Sequence, residues 1–230
     1  MSYHDVKYHN IVKKFQMARQ VKKISVGFIL CMFFMSFKLY GFEGSIMLVK
    51  ESCYDTTFFT YYISDGKIRI DEFSSKKVLQ DIYIVNTNTE EVFVINPSKK
   101  LYTKLKKRVT NINDDKHFII LKTANSKLIN GILCYQWRVK DKEKNSEMSY
   151  WVTQNDFDFF EKMVRILNQT ERTWEYFEHI PGSQGYFPML SVERNLVRDE
   201  KMRTSVLQIN RKPIDSVLFH IPTGYKLFTI

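Results

Sequence analysis

Proline and glycine are scarce in this chain, with five and eight among 230 residues. No low-complexity linker and no repeat at a solenoid period is present, which argues against linked or repeated modules. No apolar run reaches the roughly 18–20 residues that a membrane-spanning helix needs. His117, His179 and His220 stand apart, without H-x-x-H or H-E-x-x-H spacing, so no metal site is expected. No G-x-S-x-G is present to form a nucleophile elbow. Gly182-Ser183-Gln184-Gly185 lacks that spacing and reads as a flexible loop. Asp156 and Asp158 sit where a helix starts, and capping explains them. A catalytic site needs a nucleophile, a base and a stabiliser placed together. The chain is therefore expected to be a non-enzyme without a cofactor.

What is present begins with an export pattern. Lys13, Lys14, Arg19, Lys22 and Lys23 precede an apolar run from Ile24 to Phe37, followed by Lys38-Leu-Tyr-Gly41. A basic front, a short apolar middle and a small residue at the end mark a signal peptide over residues 1–41. A retained N-terminal anchor is the alternative. Leu30 before Cys31 is not the small residue that a lipoprotein cysteine follows, so Cys31 reads as part of the apolar run. Of the 35 Lys and Arg residues, seven lie in residues 1–41, together with one of the 25 acids; the remaining 28 and 24 leave a net charge of +4. A mild, spread excess is a solubility feature and not a nucleic-acid footprint. One basic cluster stands out: Lys99, Lys100, Lys104, Lys106, Lys107 and Arg108. It reads as a solvated strand end, or as a contact for anionic lipid head groups.

Residues 42–230 suit a single domain with a real core. Two cysteines remain there, Cys53 and Cys134. In an oxidising compartment an even pair suggests a disulfide; two free thiols are the other reading, and geometry decides. The central pattern is a meander from Val78 to Leu105, three apolar runs separated by Asn86-Thr87-Asn88-Thr89 and Asn96-Pro97-Ser98-Lys99-Lys100. Such runs bounded by turn residues predict antiparallel strands. Asp65-Gly66 and Asn130-Gly131 predict two further hairpins. Ile68 and Ile70 alternate with charged residues, which places one strand face on the core. Phe58, Phe59, Tyr61 and Tyr62 do not alternate, so that strand is covered on both faces or lines a cavity. From Asp156 to Leu167 the apolar residues fall at helical spacing, with Asn155 or Asp156 able to cap. Residues 170–179 allow a short helix. Many antiparallel strands with one or two late helices predict an α+β fold with a large curved antiparallel sheet.

Three segments carry a family resemblance. The first is Lys67-Ile-Arg-Ile-Asp71 with the meander ending Val94-Ile-Asn-Pro-Ser-Lys-Lys-Leu-Tyr102. The second is Asn130-Gly-Ile-Leu-Cys-Tyr-Gln-Trp-Arg-Val139, leading to Tyr150-Trp-Val-Thr153. The third runs from Gly185-Tyr-Phe-Pro188 through Asp215 to Phe219-His-Ile-Pro-Thr-Gly-Tyr225. In order and spacing they resemble the LolA/LolB/LppX-like superfamily of bacterial envelope proteins, closest to a branch of small exported proteins. The resemblance implies a half-barrel of antiparallel sheet wrapped over a few helices. It also implies an apolar cavity that holds acyl chains of lipids or lipoproteins, and a periplasmic or outer-membrane-associated place in a Gram-negative bacterium.

The expected function is non-enzymatic binding of an apolar ligand, a lipid or lipoprotein acyl chain, by a monomer. The candidate lining is aromatic: Phe58, Phe59, Tyr61, Tyr62, Trp137 and Trp151, with Tyr150 beside them. The plainer reading makes each of these a core residue. The alternative function is an envelope interaction module with a filled core, offering a sheet face or edge to a protein partner.

Overall fold

Turns lay out the first arm of the sheet. Asp65 and Gly66 take φ of 46° and 71°, the left-handed geometry a tight two-residue hairpin uses. They join β2 (Thr56–Ser64) to β3 (Lys67–Phe73). The meander follows as β4 (Leu79–Asn86), β5 (Glu91–Asn96) and β6 (Leu101–Lys104). Asparagine side chains close its two turns. Asn86 Oδ1 accepts the N–H groups of Asn88 and Thr89, and Asn96 Oδ1 accepts that of Lys99. The computed structural model describes residues 41–107, 117–168 and 174–229, all within the unit Gly41–Ile230. The leader with Cys31, Arg108 of the basic cluster, a polar break at 111–116 and the start of the short-helix segment at 170–173 lie outside the described residues.

The second arm contains β7 (Phe118–Ile129), β8 (Ile132–Asp141), β9 (Ser146–Gln154), β10 (Tyr186–Asn195) and β11 (Glu200–Asn210). Asn130 and Gly131, at φ of 51° and 77°, form the β7–β8 turn. The seam between the arms is β1 (Gly44–Ser52), which pairs with β2 on one side and β11 on the other. Gly44 opens this strand at φ 148°, and a Cβ there would lie 2.1 Å from the Asn210 carbonyl oxygen. No larger residue fits without moving β11.

All these strands form one sheet, in the order β12-β6-β5-β4-β3-β2-β1-β11-β10-β9-β8-β7. Every pairing is antiparallel except the two-residue β12 (Lys226–Leu227) against β6. This corrects the α+β expectation. Among the described residues, helix amounts to α1 (Asp158–Asn168), α2 (Glu175–Glu178) and a 3-10 turn at Ser216–Phe219. The architecture is a large open mixed β-sheet. Sequence periodicity locates α1 correctly, but one eleven-residue helix and two single turns do not make the helical layer that an α+β fold requires.

Packing of α1 shows that the sheet is curved. The helix touches both β10 and β5, which stand six places apart in the strand order. A flat sheet would separate them by about 29 Å at ~4.8 Å per strand. A helix of this length spans only about 16 Å. Both contacts exist because the sheet bends around α1. Phe159, Phe160, Met163, Val164, Ile166 and Leu167 are buried on that helix. Asp158 and Glu161 in its first turn and Arg165 in its last suit the helix dipole. The helix begins beyond Asn155 and Asp156; Asp156 instead takes φ 54° and its carbonyl accepts the Phe42 N–H at 2.9 Å.

A continuous run of rings fills the space between helix and sheet. Phe42 stacks on Phe157 at 5.3 Å, Phe157 meets Phe187 at 5.0 Å, and Phe187 meets Phe160 edge-on at 4.9 Å. Phe160 continues to Phe177 at 5.0 Å, and Phe177 to Tyr150 at 5.2 Å. The outer face of the first arm carries a second, smaller core. Ile82, Ile84 and Ile95 pack there with Phe93, Tyr102, Ile221 and Tyr225. Arg69 anchors the covering C-terminal segment: it holds Asp71 at 2.6 Å and donates to the Leu218 carbonyl at 3.1 Å. Covered faces on both sides explain why the meander's apolar residues do not alternate strictly.

Phe160 is fully buried at the centre of the ring series. Phe160→Ala should therefore cost about 3–5 kcal/mol, read as a lower denaturant midpoint at unchanged slope. Leu128→Ala, at a 69% exposed position, should change stability by less than about 0.5 kcal/mol. Equal effects from the two variants would contradict this packing.

Candidate functional site

Antiparallel register places a row of side chains on the inner face of the second arm. Lys50 on β1 lies opposite Thr204 on β11, Thr204 opposite Ser191 on β10, and Ser191 opposite Tyr150 on β9. Tyr150 lies opposite Trp137 on β8. Residues directly opposite share a face, so these five point the same way. A second row two residues along holds Met202, Glu193 and Met148. Phe59 and Tyr61 of β2 add the remaining wall, and Trp174 and Tyr176 at α2 close over the sheet. All of these except Trp137 line a cavity of about 210 Å³, mostly apolar.

The connection from α1 positions the cover. Asn168 at the end of α1 accepts the Trp174 N–H at 2.8 Å through Oδ1 and donates to Glu178 Oε2 at 2.8 Å through Nδ2. Tyr176 Oη lies 2.7 Å from Ser146 Oγ. These bonds hold the two rings over the cavity. Burial holds the Tyr61 phenol well above its ordinary 10.0; a hydrogen bond with Trp174 partly offsets that, and the Glu72 charge adds to it. Burial likewise pushes Tyr150 up, with Tyr176 and Glu193 adding to the effect. Both phenols are therefore neutral polar groups in an apolar wall. Ser191 is 3% exposed, and its hydroxyl has no hydrogen-bond partner among the described residues. A buried hydroxyl left unpaired is costly, and this one belongs to the cavity wall.

The structure divides the sequence-predicted residues. Phe59 and Tyr61 line the cavity, as does Tyr150. Phe58 and Tyr62 alternate to the outer face, where Lys77 sits over the Phe58 ring. Trp137 is buried in the core, 4.6 Å from Tyr186 with Lys122 over its ring. Trp151 lies on the outer face beneath Lys127. Sequence reasoning missed Trp174, Tyr176, Met148, Met202, Lys50, Ser191 and Glu193. The strand positions were open to a register argument once β1, β9, β10 and β11 were recognised as neighbours. No sequence signal placed Trp174 and Tyr176.

Of the two readings left open for Cys53 and Cys134, a disulfide or two free thiols, the structure shows the second. Both cysteines are free, Cys53 exposed and Cys134 buried. Cys53 follows the end of β1, whereas Cys134 is on β8, four places away in the sheet. That is about 19 Å at ~4.8 Å per strand, against the roughly 4.4–6.8 Å between Cα atoms that a disulfide spans. Burial pushes the Cys134 thiol up to about 11, with Lys127 pulling the other way.

An open groove of about 760 Å³ lies at the far end of the sheet, between β5, β6 and the C-terminal segment, with Leu105, Leu227 and Phe228 in its wall. Lys104, Lys106 and Lys107 of the basic cluster line it. Lys104 pairs with Glu91, and Lys107 with Glu90, which also binds Arg165 at 2.9 Å. Two lysines of the cluster are thus engaged with carboxylates. Among the described residues no group of three His, Cys, Asp or Glu is placed to hold a metal.

The family model described as a domain of unknown function, DUF4412, matches residues 42–225, and the chain belongs to that family. No curated protein matches the chain. Among solved structures, an uncharacterized conserved protein from Thermus thermophilus is similar at 6% identity and a TM-score of 0.52, over 80% of this chain and 88% of that one. The likeness shows a shared fold. The MucA/MucB complex of Pseudomonas aeruginosa matches at 9% identity and a TM-score of 0.46, over 84% of this chain and 59% of that one. A lipoprotein-sorting protein domain from Vibrio parahaemolyticus, described as putative and outer-membrane, matches at 6% identity and a TM-score of 0.32, over 76% and 87%. Neither of these last two similarities is close enough to carry an argument.

Two outcomes test the site's electrostatics. Tyr61 has a folded pKa above its unfolded value, so its contribution to stability is complete below about pH 10. Above that pH the unfolded chain ionises first and the contribution declines. Tyr61→Phe should lose less stability between pH 9 and 11 than the native chain, measured by denaturant midpoints; identical losses would contradict the assignment. Alkylation at pH 8 followed by peptide mapping should label Cys53 and spare Cys134 until the protein unfolds. A recovered Cys53–Cys134 linked peptide would contradict the strand order.

Proposed function

We propose that this member of the DUF4412 family is an exported cell-envelope protein that acts by binding, not catalysis, and takes the apolar chain of a lipid or lipoprotein against the inner face of its sheet. The cavity carries this reading. Phe59, Tyr61, Met148, Tyr150, Trp174 and Met202 give it apolar and adaptable walls, with few polar groups converging on it. A filled core, as the interaction-module reading requires, would leave no such space. The sequence resemblance to envelope lipid carriers points to the same ligand class. The export pattern of residues 1–41 supports the same compartment.

Cavity size sets the scale of the ligand. The volume of about 210 Å³ is below the roughly 300–1,000 Å³ of most small-molecule sites. At about 30 Å³ for each water-sized group it takes roughly seven of them. That is a short run of methylenes from one chain. A whole diacyl lipid requires the cover of Trp174 and Tyr176 to move. Each buried methylene contributes about 0.8 kcal/mol, so a run of this length supports useful affinity.

Native mass spectrometry of the protein purified from its own envelope, followed by solvent extraction, tests the proposal. Bound acyl species at defined stoichiometry are expected. Ser191→Leu, which fills the cavity, should reduce that occupancy about tenfold, the effect of ~1.4 kcal/mol. A clean apo mass, unchanged after incubation with envelope lipids, would overturn the reading and favour the interaction module.

A further inference from the structure

The cavity has a polar side that binding of a hydrocarbon chain alone does not use. Lys50 and Glu193 both line it. Neither forms a hydrogen bond or ion pair with any described residue. Several other charges on this sheet are matched: Arg69 with Asp71, Arg138 with Glu147, and Arg194 and Arg203 with Glu200. Between Lys50 and Glu193 along the same face lies Ser191, whose buried hydroxyl lacks a partner among the described residues. Three polar groups of different kinds are thus left unmatched around one small apolar space.

Their spacing follows from the register. Lys50 reaches Ser191 through Thr204, two strand steps, and Glu193 is two residues further along β10. Two steps of ~4.8 Å and two residues at ~3.4 Å place the Lys50 and Glu193 Cα atoms about 12 Å apart. Direct pairing is absent at this separation, while a ligand group spanning the gap meets both side chains. A purely anionic group would satisfy Lys50 and be repelled by Glu193. A neutral group would leave both charges without a partner beside apolar surface, which is unfavourable.

We infer that Lys50, Ser191 and Glu193 form a head-group subsite for a single-chain zwitterionic amphiphile. Its anionic group lies at Lys50, its ammonium at Glu193, and an acceptor oxygen on the Ser191 hydroxyl. The inference rests on the apolar-ligand reading and adds the head-group chemistry. Charge complementarity of this kind selects among ligands more than it raises total affinity. The cavity volume favours one chain over two.

Three amphiphiles of one chain length, each below its micelle concentration, test it: a lysophosphatidylethanolamine, a lysophosphatidylglycerol and a monoacylglycerol. Binding to the full chain is followed by titration calorimetry. The zwitterion should bind roughly tenfold more tightly than either of the others, the size of one charge-assisted interaction. Lys50→Met and Glu193→Gln should each shrink that ratio toward one. The exchange variant Lys50→Glu with Glu193→Lys, which keeps both charges and the lining volume nearly constant, should restore part of it. Equal affinity for all three would overturn the head-group subsite and leave apolar binding intact. Binding of none would overturn both.

Discussion

The ring series from Phe42 through Phe157, Phe187, Phe160 and Phe177 to Tyr150 is the interaction on which the rest depends. It begins beside the first strand, runs through the base of α1 and ends on β9. Without it α1 would have no fixed place on the sheet. The sheet in turn would have no reason to bend, because α1 is what touches both β5 and β10. Aromatic edge and stacked contacts add about 0.5–1.5 kcal/mol per pair beyond burial. Several in series give a directional lock that aliphatic packing lacks.

The cavity is a consequence of that lock. The series fills the inner face up to Phe177 and Tyr150. Beyond them part of the inner surface is made by residues too short or too polar to fill the space: Ser191, Thr204 and Glu193 on two central strands. Trp174 and Tyr176 bridge over from α2, held by Asn168 and Ser146. A packed core and an open space thus share one wall. Substitutions at the wall carry both a stability effect and a binding effect, and the two must be measured separately.

Much of the sheet was legible in the sequence because its turns use residues with one job. Asp65-Gly66 and Asn130-Gly131 take positive φ and mark their hairpins without reference to the rest of the chain. The meander was legible for the same reason, through Asn86 and Asn96. Strand order was less so. Pairing of β1 with β11 joins residues about 160 positions apart, and nothing local encodes it. That long-range seam decides why Cys53 and Cys134 stay apart and why Lys50 and Ser191 share one face. The aromatic run of β2 does not alternate in sequence, yet the strand's period of two sends Phe59 and Tyr61 inward and Phe58 and Tyr62 outward. The fold class was misjudged because counting helices in sequence does not reveal how little of the sheet they cover.

The measurement that tests the central claim most directly is methyl NMR of methionine-labelled protein titrated with a single-chain amphiphile. Met148 and Met202 line the cavity, whereas Met47 is 37% exposed at a site outside it. Saturable shifts of the Met148 and Met202 methyl resonances, with Met47 unmoved, are the predicted result. Shifts confined to Met47, or none at saturating ligand, would show that the inner face holds no apolar ligand and contradict the account.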